Sequence, residues 1–307
     1  MKPDEWFDDT PVIGKLPADQ VAIKLREVGE IEAAAAIEQE ISPSLESFGK
    51  PKWWPFKDKP WQHTAHTFGY LAPASSSTGP LEIRHAGNID ADQTLKNKRI
   101  KITLDHLRVA AYPGGGTHRV LIDFYGQNQA AGNVEHLHFN ATYRVREGEQ
   151  AAVIGFPIFV GLNVGNEGVA FRCFTVNVKN DDDESFLGFL ESDVFKQGLK
   201  LVSTVQPAIA PFSAMALSLT KQIASRNRNV AVQDFYMGLD FSNITTRARL
   251  ATGSYLAVQI PESLQTIWDW NKWVYNPATG QVVSKADLKE LVPYNYLVYS
   301  VSRYEDT

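Results

Sequence analysis

Alternating apolar and polar side chains dominate residues 81–179, and this period of two constrains the fold more than any other feature. Successive side chains of a strand point to opposite faces, so short alternating segments bounded by turn residues indicate strands. The intervals, such as Tyr112-Pro-Gly-Gly-Gly-Thr117, are too short for helices, which favours antiparallel pairing over a βαβ sheet. The predicted strands lie at 81–84, 99–109, 119–125, 134–145, 151–160 and 169–178.

Other parts of the chain follow a helical period. Residues 17–40 place Val21, Leu25 and Val28 on one stripe, which predicts an amphipathic helix that ends before Pro43. Apolar side chains at every third or fourth position predict two further helices, at 183–197 and 211–226. Strands resume after them, and the last, 294–301, is apolar on both faces, which predicts a central position in a sheet.

These segments predict a mainly β protein: an antiparallel β-sandwich with two inserted helices and an N-terminal helical arm. The expected architecture resembles C2 and jelly-roll sandwiches. The predicted organisation is a helical arm at 1–48, a linker rich in Trp, Pro and Ser at 49–80, and the sandwich domain at 81–307. A separate β-layer at 229–307 is left open.

Charge and cysteine content argue against several function classes. The 30 basic and 35 acidic residues are interspersed and give a net charge of −5, so nucleic acid is not an expected partner. The single cysteine, Cys173, allows no intrachain disulfide, which favours a reducing, cytoplasmic location. No apolar run reaches the roughly 18 residues of a membrane span, and the acidic start is unlike a signal peptide.

Histidines in two close pairs suggest a metal site: His63, His66, His136 and His138. His136 and His138 project from one face of a predicted strand and could reach the same ion, with a third ligand from His63, His66, His85 or an acidic residue. A zinc site there would indicate a metal-dependent hydrolase or a metal-regulated domain. Alternation favours the other interpretation, two polar residues on the solvated face of a strand whose opposite face is Leu137 and Phe139.

Acidic residues cluster in two predicted loops: Asp90, Asp92, Asp181, Asp182 and Asp183. Carboxylates on the loops at one end of a sandwich would resemble the calcium sites of C2-like modules, which leaves peripheral contact with a membrane surface open. The second cluster also suits the start of the predicted 183–197 helix, because negative charge there complements the helix dipole. We favour this capping role and expect no cofactor, with zinc and calcium as alternatives.

Tryptophans lie mainly in two groups: Trp53, Trp54 and Trp61, and Trp268, Trp270 and Trp273. Large aromatic side chains are enriched at protein interfaces and sugar-binding surfaces, but they also fill cores. One hypothesis is that the second group forms a groove for a partner, or for the N-terminal arm and its tryptophans.

No catalytic signature stands out in the sequence. Gly114-Gly-Gly116 lacks the Gly-Lys-Ser/Thr ending of a phosphate-binding loop and leads into a strand. The stretch Arg226-Asn-Arg228 is a local basic concentration, for which a role in holding an anion is left open. We therefore predict a non-enzymatic binding or protein-interaction module that uses its loops and its arm to bind a protein partner or a second copy.

Overall fold

The structure, a computed structural model, describes residue 7 and residues 9–41, 59–73, 79–130, 133–151, 153, 155–183, 198–201, 209–242 and 247–305. The described part is mainly β, with sixteen strands in three sheets and three α-helices, which confirms the predicted fold class. Trp53, Trp54 and most of the predicted 183–197 helix lie outside the described residues. No described helix is both long and apolar enough to cross a membrane.

The first eight strands are β1 (Ala65–Leu71), β2 (Leu81–Glu82), β3 (Arg84–His85), β4 (Arg99–Arg108), β5 (Thr117–Ala130), β6 (Asn133–Arg146), β7 (Gln150–Ala151) and β8 (Phe156–Asn163). The next eight are β9 (Gly168–Val178), β10 (Leu199–Lys200), β11 (Val230–Asp240), β12 (Ala248–Arg249), β13 (Gly253–Ile260), β14 (Trp273–Asn276), β15 (Gln281–Ser284) and β16 (Tyr296–Arg303). The helices are α1 (Ala18–Glu27), α2 (Ile31–Ile41) and α3 (Ile209–Ala224).

The eight-stranded sheet has the order β10-β8-β4-β16-β13-β1-β3, with β7 beside β4. The five-stranded sheet has the order β12-β11-β9-β5-β6, and β15-β14-β2 form a small third sheet. Only the short pairs of β10 with β8 and β11 with β12 are parallel among the described strands. The last strand, β16, lies between β4 and β13, so its predicted central position is confirmed.

The two larger sheets pack face to face around one apolar core. Phe171 of β9 contacts Tyr299 of β16 with ring centroids 6.3 Å apart, and Phe68 of β1 lies 5.9 Å from Phe235 of β11. We call this side of the five-stranded sheet its inner face and the opposite side its outer face. The outer face is partly covered by α3, which packs on β6, β9 and β5.

The predicted linker at 49–80 requires correction, because residues 65–71 form β1, an interior strand of the larger sheet between β13 and β3. Gly69 of β1 leaves space for the indole of Trp270, since a Cβ at this position would lie 2.9 Å from the ring. A glycine between two aromatic residues, after the polar pair His66 and Thr67, obscures the alternation on which strand prediction depends.

The N-terminal segment also differs from the predicted arm. The helix expected at 17–40 is two helices, because Gly29 adopts a left-handed φ of +88° and ends α1. Helix α1 buries Val21, Ala22 and Leu25 in the core of the sandwich. The segment is therefore part of the packed fold and does not project from it.

Substitution of Gly126 in β5 tests how tightly the two sheets pack. A Cβ at this inner-face position would lie 2.8 Å from the buried ring of Phe159, so Gly126→Ala should lower the free energy of unfolding by about 1–3 kcal/mol. Gly238→Ala, on the outer face of β11, is the matched control because a Cβ there has no neighbour within 4 Å. Urea denaturation measures both, and equal stabilities would contradict this packing.

Candidate functional site

A buried polar network lies on the outer face beneath α3. The carboxylate of Asp123 in β5 accepts hydrogen bonds from Nδ1 of His138 at 2.8 Å and from the hydroxyl of Thr220 at 2.9 Å. Asp123 is only 1% exposed and His138 only 2%. Burial of these polar groups is tolerated because hydrogen bonds replace their contacts with water.

The same network attaches α3 to β6. The amide of Asn140 donates to the hydroxyl of Thr220 at 2.5 Å, and the backbone N–H of His138 donates to Oγ of Ser213 at 2.8 Å. Ser213 therefore contacts the backbone of His138 rather than its imidazole. The hydrogen bonds found in this network position a helix on a sheet.

His136 and His138 share the outer face, as their spacing predicts, but they bind different partners. Nδ1 of His136 lies 2.7 Å from the hydroxyl of Tyr125, whose ring also contacts that of His138 at a centroid distance of 5.5 Å. Burial lowers the pKa of His136. The expectation that both histidines lie on a solvated face is wrong for His138, which is covered by α3 and the ring of Phe7.

His63 and His66 lie elsewhere. His63 packs its ring against Tyr294, and Nε2 of His66 lies 3.4 Å from Oε1 of Gln233, between the two sheets. Among the residues that the structure describes, no three His, Cys, Asp or Glu side chains lie close enough together to hold a metal ion. The zinc hypothesis remains a prediction.

The acidic residues of the first loop lie at the surface. Asp90 is exposed. Asp92 caps a short 3₁₀-helix, accepting from the backbone N–H of Thr94 at 3.0 Å, and pairs with Arg303 at 2.8 Å. Asp92 thus caps a turn and neutralises an arginine.

The second acidic cluster faces the predicted basic stretch. Asp183 is buried and bonds to Arg226, and its second oxygen accepts from the amide of Asn229 at 2.7 Å. Asp181 lies 3.4 Å from Arg228, and Asp182 forms a turn with Asn180. Whether the cluster also caps a helix at 183–197 depends on residues outside those described.

The described tryptophans divide between two cores. Trp61 is buried in the main core. Trp268 stacks on Trp273 at 5.9 Å and meets Trp270 edge-on at 5.6 Å, over a smaller core beneath the third sheet. The C-terminal group is therefore brought together as predicted, and its rings pack within the chain.

A groove of about 510 Å³ opens on the outer face at the end that α3 leaves uncovered. Gly238 of β11 and Ala170 of β9 lie opposite each other there and contribute little or no side chain. Tyr236, two positions earlier on the same face of β11, is 57% exposed. We call the space around these three residues the outer groove.

Polar side chains line the outer groove: Gln127, Gln129, Glu167, Asp240 and Arg247. The carboxylate of Asp240 is fixed by the backbone N–H and hydroxyl of Ser242, at 2.9 and 2.8 Å, and by Arg247 at 3.3 Å. The lining thus offers amide, carboxylate and guanidinium groups that donate and accept hydrogen bonds.

An ion pair borders this groove beside Tyr236. Arg172, directly opposite Tyr236, donates to both oxygens of Asp234 at 2.8 and 2.9 Å. Burial raises the pKa of Asp234, but the hydrogen bonds from Arg172 outweigh that effect and hold the pKa below its ordinary value. The pair therefore stays charged and rigid near neutral pH.

Comparison with known proteins found no matching family model, no similar curated protein and no similar solved structure.

Substitution of Thr220 tests the contribution of the buried network to stability. Thr220→Val keeps the shape of the side chain but leaves an oxygen of Asp123 without its hydroxyl donor, so the free energy of unfolding should fall by about 1–3 kcal/mol. Thr220→Ser retains the hydroxyl and should cost about 1 kcal/mol for the lost methyl. Chemical denaturation compares the two, and a Val variant as stable as the Ser variant would contradict the role of the hydroxyl.

His66 should make stability depend on pH. Burial lowers its pKa to about 4, with the hydrogen bond to Gln233 acting in the opposite direction. The unfolded chain takes up a proton near pH 6.5 and the native chain does not, so stability is present at neutral pH and is lost as the pH falls. The loss from this residue should reach about 2 kcal/mol by about pH 4.5.

The measurement is urea denaturation at a series of pH values between about 7 and 4.5. His66→Gln should flatten the decline relative to the parent, whatever its stability at pH 7. An unchanged slope in the variant would show that His66 is not the group responsible.

Proposed function

We propose that this protein is a non-enzymatic binding module whose outer groove holds a neutral oligosaccharide. The observation that carries the proposal is Gly238 beside an exposed Tyr236 near the end of β11. Glycine in a strand costs about 0.5–1 kcal/mol relative to alanine, yet Gly238 has no positive φ and no close neighbour that requires it. We therefore attribute the glycine at this position to the space that it leaves in the groove.

The exposed ring supports a sugar rather than a strongly charged ligand. A tyrosine offers a broad apolar face with a polar hydroxyl, which suits the mixed C–H and O–H surface of a pyranose ring. Ala170 and Gly238 leave a shallow floor beside that ring.

The lining supports recognition of hydroxyl groups. Gln127 and Gln129 each provide an amide that donates and accepts, which matches the dual character of a sugar hydroxyl. The positive charge of Arg247 is paired with Asp240 within the same groove, and Glu167 adds a second carboxylate to the lining, so the site disfavours an anionic ligand. A small set of oriented polar groups around an apolar surface is the usual composition of a ligand site.

The buried network is one reason to propose binding rather than catalysis. Asp123 and His138 would be the obvious acid–base pair, but α3 covers them, and their hydrogen bonds attach that helix to the sheet. The N-terminal helices are not needed for the proposed binding because they pack into the core.

Binding can be tested on an array of neutral and acidic oligosaccharides, followed by calorimetry with the strongest neutral binder. Tyr236→Ala should weaken affinity about tenfold or more, because the stacking face is lost, and Tyr236→Phe should retain most of it. Gly238→Leu should abolish binding by filling the groove while leaving thermal stability near that of the parent, because the position has room for a side chain.

The control for nonspecific stacking is Ile267→Ala, which removes a side chain that is 70% exposed and does not line the groove. Failure of every neutral oligosaccharide to bind, or binding that survives Gly238→Leu, would refute the proposal.

A further inference from the structure

A buried arginine lies on the face of the eight-stranded sheet that the third sheet covers. Arg108 of β4 is 5% exposed and lies between Tyr296 of β16 and Gln150 of β7, its partners in register. The hydroxyl of Tyr296 accepts from the backbone N–H of Val282 in β15 at 3.2 Å, so the third sheet packs on this part of the face. Arginine is seldom buried to this degree unless an acidic group pairs with it.

The guanidinium of Arg108 has few acceptors. Nη1 donates to the carbonyl of Gly148 at 2.8 Å, which holds the side chain against the turn that precedes β7. Nε is buried and has no hydrogen-bond acceptor among the described residues. Within the same part of the chain, no carboxylate forms an ion pair with this arginine.

The carboxylates nearest along the chain do not compensate the charge of Arg108. Asp105 of β4 accepts hydrogen bonds from two neighbouring hydroxyl groups. In the turn before β7, Glu147 lies 3.9 Å from a ring nitrogen of a histidine, and Glu149 is exposed. An unpaired buried charge is costly, because the ion has lost its contacts with water.

The ionisable side chains that flank Arg108 are uncharged near neutral pH. His106, two positions earlier on β4, packs against the ring of Tyr275, and burial lowers its pKa. Burial raises the pKa of Tyr296 to about 12, so its phenol stays protonated. Burial also lowers the pKa of Arg108, but an arginine remains a cation in proteins. The flanking groups therefore supply no counter-charge.

A second buried donor lies beside the guanidinium. Nε2 of Gln150, directly opposite Arg108 on β7, is buried and has no acceptor among the described residues. Opposing side chains of antiparallel strands leave the same face with Cβ atoms about 5 Å apart, so one small acceptor can reach both. A water molecule there would need acceptors for its own hydrogens. An anion needs none, and it also balances the charge.

We propose that Arg108 and Gln150 hold a buried monovalent anion of the size of chloride. The guanidinium supplies a charge-assisted hydrogen bond, and the amide supplies a second donor. Because Arg108 is 5% exposed, a bare ion suits the site better than an anionic group on a larger molecule, which would need an opening to solvent. A divalent ion would leave a net negative charge buried. The site is separate from the outer groove and does not depend on the function proposed for it.

The effect of chloride on thermal stability tests the site. The Tm of the parent protein is measured in mixtures of sodium chloride and sodium gluconate at one ionic strength, because gluconate is too large for a buried site. The Tm should rise saturably, by about 3 °C when chloride reaches roughly ten times its Kd. A Tm that does not depend on chloride, as expected for a buried water, would overturn the proposal.

Gln150→Glu is the most informative variant, because it places a carboxylate opposite Arg108 in place of the anion. It should raise the Tm in gluconate and abolish the dependence on chloride. Gln265→Glu, the same change at an exposed position, is the matched control and should retain that dependence. Arg108→Met removes the charge and should also abolish the dependence, whatever its stability. A chloride effect that survives in either site variant would show that the ion binds elsewhere.

Bromide gives the position of the ion directly. Crystals soaked in sodium bromide should show an anomalous scattering peak within hydrogen-bond distance of Nε of Arg108, and Gln150→Glu crystals should lack it. Bromide peaks confined to the surface of the parent protein would contradict the proposed site.

Discussion

The hydrogen bonds between Asp123, His138 and Thr220 decide how the outer face of the five-stranded sheet is used. The inner face is mainly apolar and packs against the opposing sheet, but the outer face carries a carboxylate and an imidazole in adjacent strands. Such groups are buried at low cost only where every one finds a partner. The imidazole is bonded to that carboxylate, and helix α3 adds the hydroxyl of Thr220 as a second donor to it. The helix packs over β6 and part of β5, so one part of the face is closed and the rest stays open to solvent.

The antiparallel order of β11, β9 and β5 then gives the two ends of this sheet different chemistry. At one end an exposed aromatic ring, a glycine and a mixed set of amide, carboxylate and guanidinium groups line the outer groove, and at the other end the lining is mainly basic. Each end draws its side chains from segments far apart in sequence, which only strand pairing brings together. Binding sites at strand ends on a rigid scaffold are a common arrangement in sandwiches, and the outer groove follows it.

Alternation in the sequence was sufficient to predict most strands and the central position of β16, because both follow from local period and apolar content. It could not predict β1, where Gly69 interrupts the pattern because the indole of Trp270 occupies the space of a side chain. It also could not predict the break of the N-terminal helix at Gly29. It also could not distinguish His138 from His136. The two have the same spacing and face, and only the position of α3, more than seventy residues later in the chain, buries one of them.

Three strand glycines show how a glycine that close packing requires differs from one that packing does not explain. Gly69 and Gly126 each lie against an aromatic ring within 3 Å of where a Cβ would be, so the fold itself accounts for their lack of a side chain. Gly238 has ordinary strand geometry and an open surrounding, and a larger residue would stabilise β11. A residue that weakens its own strand without relieving a clash requires an explanation outside the packing. Beside the exposed ring of Tyr236, the space that Gly238 leaves is that explanation, and it distinguishes the outer groove from an ordinary irregularity of the surface.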